Sequence, residues 1–400
     1  MSAFIIKYQT ICIISLYLLL ISFVAFYLTD GISKTISRTS SDFHRYGSIV
    51  KGGFELFVLG YSIITIRKQK LEFLVAILIL FGIFLIGQFF LFRNFNQINF
   101  LENFNTLFKY LFPLILYLLA IDILSLPTKE QNKILKYFRY VLSFNALLIL
   151  YGVFFGSIVL QTYGSKYRYG FDGLIFAQNE ASYIFILAVF TVYYRRFYLK
   201  IKEWFFWIII ISSLAVATKA VYLTFILLLL YHIFTRVPLK KVLTYGLTGI
   251  LTFYLVFNTI VNKIFVNSYD VFMYGYRREG LLFALTSGRN EFIEEKLEPL
   301  IFNIWTTPNF LFGGQDVTEF YMEMGFLDLF LFFGLLGSII YCYIFFKLFQ
   351  KIDFDLNFKI FLFFVIVSII ATAGHFFTSG IVGIHFIFFM IINSGTQKPV

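Results

Sequence analysis

Arg289 follows Thr286-Ser287-Gly288, in a polar stretch between apolar segments long enough to cross a membrane. Lys219 interrupts another apolar run at Thr218-Lys219-Ala220. Arg168 sits in Lys166-Tyr167-Arg168-Tyr169-Gly170, and Arg277 and Arg278 in Tyr276-Arg277-Arg278-Glu279-Gly280. Carried by different segments, these cations could converge on one anion. Arginine suits phosphate because its planar fork donates paired hydrogen bonds and keeps its charge. Lys219 has two readings. It is a functional cation, or it snorkels to the membrane surface and holds its turn. Arg168 divides in the same way, and Arg277 or Arg278 taken alone reads as a solvated surface charge.

Three carboxylates and one histidine join them. Glu180 follows Asn179 inside an apolar segment, and Glu323 and Asp328 bracket Met324-Gly325-Phe326-Leu327. A carboxylate at membrane depth is a proton relay, a general base or an ion-pair partner for the arginines, and for Asp328 structural pairing weighs heavily. His375, in Ala373-Gly374-His375-Phe376, could act as a base or bind a hydroxyl. The ordinary alternative is a hydrogen-bonded interfacial histidine. Cys12 and Cys342 lie in apolar segments, so neither a disulfide framework nor a metal cluster is indicated.

The segments that position these groups read as bilayer. Of the 400 residues, 60% are hydrophobic and 14% charged, against roughly 45–50% and about 25% in soluble domains. Fifty-seven Phe and 27 Tyr add to this, an excess that codon bias explains most simply. A crossing needs roughly 20 apolar residues. Candidate spans are 9–28, 48–66, 72–92, 107–126, 138–160, 173–194, 204–218, 220–235, 242–260, 323–346, 359–374 and 380–394. The fold class is therefore an all-α polytopic membrane protein with about 12 transmembrane helices, or 11 if the interruption at Lys219 marks a bent hairpin or re-entrant segment. The first run lacks a small-residue cleavage site and reads as a retained helix rather than a signal peptide.

Net charge is +11, much of it in basic clusters at 67–70, 129–139, 195–202, 236–241 and 347–359. These fall on one face if the spans alternate, which predicts that face, and both termini, to be cytoplasmic. Residues 1–400 then form one membrane domain, with a single extracytoplasmic loop, 261–322, inserted between the ninth and tenth spans. Within it, the spacing of Phe292, Ile293, Leu297, Leu300 and Ile301 against Glu291, Glu294, Glu295 and Glu298 predicts an amphipathic helix over 288–304. Nothing resembles a nucleic-acid module.

In order along 165–390, several segments resemble the bacterial O-antigen polymerase and O-antigen ligase superfamily. Tyr169-Gly170-Phe171-Asp172-Gly173-Leu174-Ile175-Phe176-Ala177-Gln178-Asn179-Glu180 is similar to its Gly-Leu-Phe…Asn-Glu element. Thr218-Lys219-Ala220 is similar to Ser-Arg-Gly/Ala, with Lys for Arg, and Thr286-Ser287-Gly288-Arg289 to Ser-Gly-Arg. Glu323 to Asp328 followed by Phe333-Gly334-Leu335-Leu336-Gly337 resembles the polymerases' Glu-Met-Asp-Phe…Asp…Tyr-Gly…Gly, with Gly325 for the acidic residue, and Gly374-His375 resembles a late Gly-His.

The resemblance implies a metal-independent, inverting glycosyltransferase of the bacterial inner membrane, without cofactor, acting on its periplasmic face. It implies undecaprenyl-diphosphate-linked oligosaccharide as donor and acceptor, membrane lipid around it, and a chain-length regulator protein as partner. Arg289, Lys219 and Arg168 are expected to bind diphosphate, and Arg277 and Arg278 to contact glycan or phosphate. His375 is the expected base, with Glu180 and Glu323 as competitors. The Glu323–Asp328 element favours a polymerase over a ligase that transfers to lipid A-core. A lipid-linked glycan flippase or transporter is the alternative of another class, but two similar halves and midplane charges are not evident.

Overall fold

The computed structural model describes residues 2–39, 46–95, 98–163, 169–238 and 262–394. Among them the chain is helical, apart from loops and a single antiparallel bridge between Gln161 and Phe171. The helices are α1 (Ser2–Thr39), α2 (Tyr46–Ile64), α3 (Lys68–Asn94), α4 (Phe100–Ile123), α5 (Thr128–Phe155), α6 (Gln178–Phe197), α7 (Phe205–Val216) and α8 (Lys219–Arg236). They continue with α9 (Asn262–Thr286), α10 (Thr307–Phe312), α11 (Gly325–Gln350), α12 (Leu356–Thr372) and α13 (Gly380–Ile392). Seven of the described helices are long and apolar enough to cross a membrane. The expected ninth span, 242–260, lies outside the described residues.

Burial separates two kinds of helix. α4, α6 and α13 are covered on nearly every side and form the centre, with α13 packed against both α4 and α6 and α1 against α4. Such all-round apolar helices belong inside a bundle. α2, α3, α5 and α8 instead turn bare apolar side chains outward, among them Ile64, Leu78, Phe154 and Phe234. No aqueous fold leaves so much aliphatic surface uncovered, so this outer ring is the lipid-facing surface of a membrane-embedded protein.

Several expected boundaries move. α1 continues past residue 28 to Thr39, where a polar loop is expected from the sequence. Its polar residues there are paired rather than hydrated. Asp30 holds Lys51 of α2 at 2.7 Å, and Lys34 is buried against Asp172. The stretch 261–322 opens with the long helix α9, broken at Gly280, where φ is 89°. The loop helix expected over 288–304 is present as a continuous helical run over 291–304, π-helical at Ile293–Leu297 and Leu300–Ile304. Leu300 is buried while Ile293 is exposed, so the apolar stripe is only partly used. At about 1.5 Å per residue, the 12 residues of α7 reach about 18 Å, short of the roughly 30 Å hydrocarbon core.

α11 is also broken, at Gly334, with φ of 65°. A Cβ at that residue would lie 2.3 Å from the backbone nitrogen of Gly313. Two glycines thus let the interrupted helix and the segment after α10 touch through their backbones, and Gly314 N–H donates to Leu331 O at 3.0 Å. This contact fixes the stretch that runs into Glu323.

Candidate functional site

The residues expected to act come largely from helix ends at one end of the bundle: the starts of α6, α8, α11 and α13 and the turns before them. Arg289 follows α9 in the turn Thr286-Ser287-Gly288-Arg289. Its Nε and Nη2 donate to Oε2 of Glu323 at 3.2 and 2.9 Å, and its Nη1 donates to Thr286 O at 3.3 Å. Lys219, the first residue of α8, reaches across to the same turn. Its ammonium donates to Ala284 O and, at 2.9 Å, to Ser287 Oγ. The lysine therefore holds the turn that carries Arg289, rather than only the α7–α8 junction in which it sits.

Glu323 is bracketed by Asp328, a buried residue of α11. Asp328 accepts from the backbone N–H groups of Met322 and Met324 at 2.8 and 2.9 Å. Asp328 therefore shapes the turn that presents Glu323. Gly374 lies against that turn, where a Cβ would stand 2.9 Å from the Glu323 carbonyl carbon. His375 is thereby set beside the Arg289–Glu323 pair, and its ring stacks obliquely on Tyr321 at 5.9 Å between centroids. Burial pushes the Tyr321 phenol well above its ordinary pKa, so it stays protonated as a hydroxyl donor.

Backbone strain concentrates here. Five non-glycine residues among those described have positive φ: Lys200, Ala217, Ser287, Glu323 and His375. All but Lys200 belong to this neighbourhood, since Ala217 precedes the Thr218-Lys219 turn. Each such conformation costs on the order of 1–3 kcal/mol and persists only where surrounding structure over-determines it, a pattern typical of functional sites.

Beside the pair opens a cavity of about 370 Å³. Its wall includes His375, Tyr321 and Glu180. Glu180, buried in the first turn of α6, accepts from Ser379 Oγ at 2.8 Å, and the same Ser379 caps α13 by accepting from Val382 N–H. The cavity is thus bounded by helix starts whose capping groups double as site residues.

Of the expected residues, the structure brings together Arg289, Lys219, Glu323, Asp328 and His375, with Glu180 across the cavity. Arg168 lies outside the described residues. Arg277 and Arg278 are exposed on α9, and Arg278 pairs with its neighbour Glu279 at 2.9 Å and stands over Phe283. They face solvent rather than the cavity. The cavity also draws on α2 and α4 through Lys51, Glu55, Glu102 and Lys109. The signal for Glu55 is present in the sequence: a carboxylate inside the apolar span 48–66 is functional by default. Among the described residues no group of three or more His, Cys, Asp or Glu side chains is disposed to hold a metal ion. Compared with known proteins, the chain matches no family model, no curated protein and no solved structure.

Proposed function

We infer that this chain is a polytopic membrane glycosyltransferase that polymerises lipid-linked repeat units of a bacterial surface polysaccharide. The observation that carries the reading is the strained, cross-braced Arg289–Glu323 pair beside a partly open cavity whose wall carries His375, Glu180 and aromatic side chains. In this reading twelve spans cross the inner membrane, both termini are cytoplasmic, and the site faces the periplasm. The donor is a glycan on undecaprenyl diphosphate and the acceptor a new repeat unit on the same carrier.

The chemistry asks little of the protein beyond charge and position. The bond between the donor's anomeric carbon and the diphosphate oxygen breaks, and a bond from an acceptor hydroxyl oxygen to that carbon forms with inversion. Negative charge grows on the leaving diphosphate, where Arg289 stabilises it and Lys219 keeps the Arg289 turn in place. The hydroxyl proton passes to a base at the cavity wall, the role assigned to His375. Glu323 holds the guanidinium until the diphosphate arrives. Glu180 orients the acceptor, and a chain-length regulator sets when the cycle ends.

The test is one gel of extracted surface glycolipid. Deleting the gene leaves core capped with a single repeat unit, because one unit can still be ligated. Bare core with long polymer on the carrier assigns the chain to ligation onto lipid A-core instead. Wild-type laddering overturns both and returns a flippase or transporter to the front.

A further inference from the structure

Glu55 is set apart from the other buried acids. Asp122 pairs with Lys70, Asp30 with Lys51 and Asp172 with Lys34, and Asp328 is met by backbone amides. Glu55 is 3% exposed, yet its Oε1 meets no hydrogen-bond partner among the described residues. It stands nine residues from Tyr46, the first residue of α2, about 14 Å along the axis at roughly 1.5 Å per residue. A carboxyl buried that deep without a partner costs several kcal/mol unless a ligand or water completes it. Its side chain is part of the cavity wall.

The rest of the wall indicates what would complete it. Three carboxylates, Glu55, Glu102 and Glu180, face two lysines, and one of these, Lys51, is already held by both oxygens of Asp30 at 2.7 and 2.9 Å. Such a wall offers no surplus of positive charge for a diphosphate, which the proposed function places with Arg289 instead. Phe112, Phe176 and Tyr321 line the same cavity. A wall that combines aromatic rings with hydrogen-bonding groups suits a sugar ring, which has apolar C–H faces and a rim of hydroxyls. The volume is in the range of small-molecule pockets.

We propose that this cavity binds an uncharged sugar ring of the glycan substrate and that Glu55 selects it by accepting from one of its hydroxyls. The proposal rests on the glycosyltransferase reading and adds to it a residue and a sugar class. A hydroxyl donated to Glu55 satisfies the buried oxygen, and an analogue lacking that hydroxyl leaves it unpaired. Sites built this way reject the deoxy compound far more strongly than a merely apolar pocket can.

The probe is the host's own repeat-unit oligosaccharide, released from its lipid by mild acid so that it carries neither diphosphate nor prenyl chain. Affinity is measured by thermophoresis on the full chain purified in detergent. Wild type binds, Glu55→Leu binds at least about tenfold more weakly, and Glu55→Gln falls between, since the amide keeps an acceptor oxygen. Gly52→Leu serves where Glu55→Leu fails to fold. Gly52 lines the cavity and a Cβ there meets no atom within 4 Å, so the added side chain takes up space without displacing a neighbour. It too weakens binding at least about tenfold. No binding to wild type, or wild-type affinity in folded Glu55→Leu or Gly52→Leu, overturns the proposal. The polymerase reading stands or falls separately on the glycolipid ladder of the gene deletion.

Discussion

Arg289 meets Glu323 through two nitrogens that converge on one oxygen: Nε at 3.2 Å and Nη2 at 2.9 Å from Oε2. The pair is lopsided. The arginine side chain is 12% exposed and the glutamate 41%. The cation is therefore held in the protein while its partner faces open space. The partners are set by independent braces, Lys219 on the Arg289 turn and Asp328 on the Glu323 turn. An arriving anion could take the place of the exposed carboxylate without the guanidinium having to move. A half-exposed ion pair is itself worth little, because water screens it. Its value here is in orienting the fork before the ligand comes.

Arg289→Ala is expected to cut polymer formation in isolated membranes by about 10²–10³, the usual effect of deleting one preorganised donor at a developing charge. The protein should stay folded, because the Glu323 left behind can be hydrated. Arg289→Lys restores charge without the fork and recovers only part of the rate. Glu323→Gln loosens the guanidinium but keeps it, so its loss should be smaller than that of Arg289→Ala. Rates from radiolabelled sugar incorporation decide this, and a near-normal rate in Arg289→Ala removes the residue from the site.

How much of this is legible in the sequence depends on the kind of signal. Charges that interrupt apolar runs, such as Lys219 and Glu180, stand out because hydrocarbon makes them costly, and the structure places both at the site. Arg289 and Glu323 are visible individually, but their pairing across 34 positions leaves no local trace. Arg277 and Arg278 look equivalent to Arg289 in a polar stretch, yet a helix carries them into solvent. Asp30 and Lys34 read as loop residues because polarity near a span's end looks like water. Their partners, Lys51 and Asp172, lie 21 and 138 positions away. The strain at Ser287, Glu323 and His375 is invisible in sequence because all three are ordinary L residues.

Asp172 carries a pH dependence whose sign can be worked out. It is fully buried in the loop before α6, and burial outweighs the attraction of Lys34, so its carboxyl is pushed up to about 7. Unfolded, an aspartate titrates near 3.9. Between those values the folded chain holds more protons than the unfolded one. This contribution to stability is present in full below about 3.9 and declines as pH rises through about 7. Melting of the purified protein in detergent should therefore show Tm falling between pH 5 and pH 8 by more in wild type than in Asp172→Asn. Equal slopes in the two proteins would show that Asp172 titrates normally.

The proposed orientation of the bundle can be tested at its two ends. Arg67 and Lys70 with Asp122, Arg139 and Arg195 with Glu203, and Lys347 with Glu72 all join helix ends remote in sequence from the strained turns. Those basic residues are the ones whose bias sets topology, and the proposed orientation takes their end to be cytoplasmic. Glu294, exposed on the first π-helical turn, and Lys351, exposed just after α11, should then lie on opposite sides of the membrane. In a background with Cys12 and Cys342 replaced, Glu294→Cys should react with a membrane-impermeant maleimide on cells whose outer membrane alone has been opened. Lys351→Cys should react only after the inner membrane is breached. Neither position is packed in the core, so both variants should accumulate normally, and labelling reports access rather than folding. The reverse pattern would turn the bundle over and put the Arg289 turn in the cytoplasm. A carrier-linked glycan awaiting polymerisation outside could not then reach it, so the polymerase reading would fall with the topology.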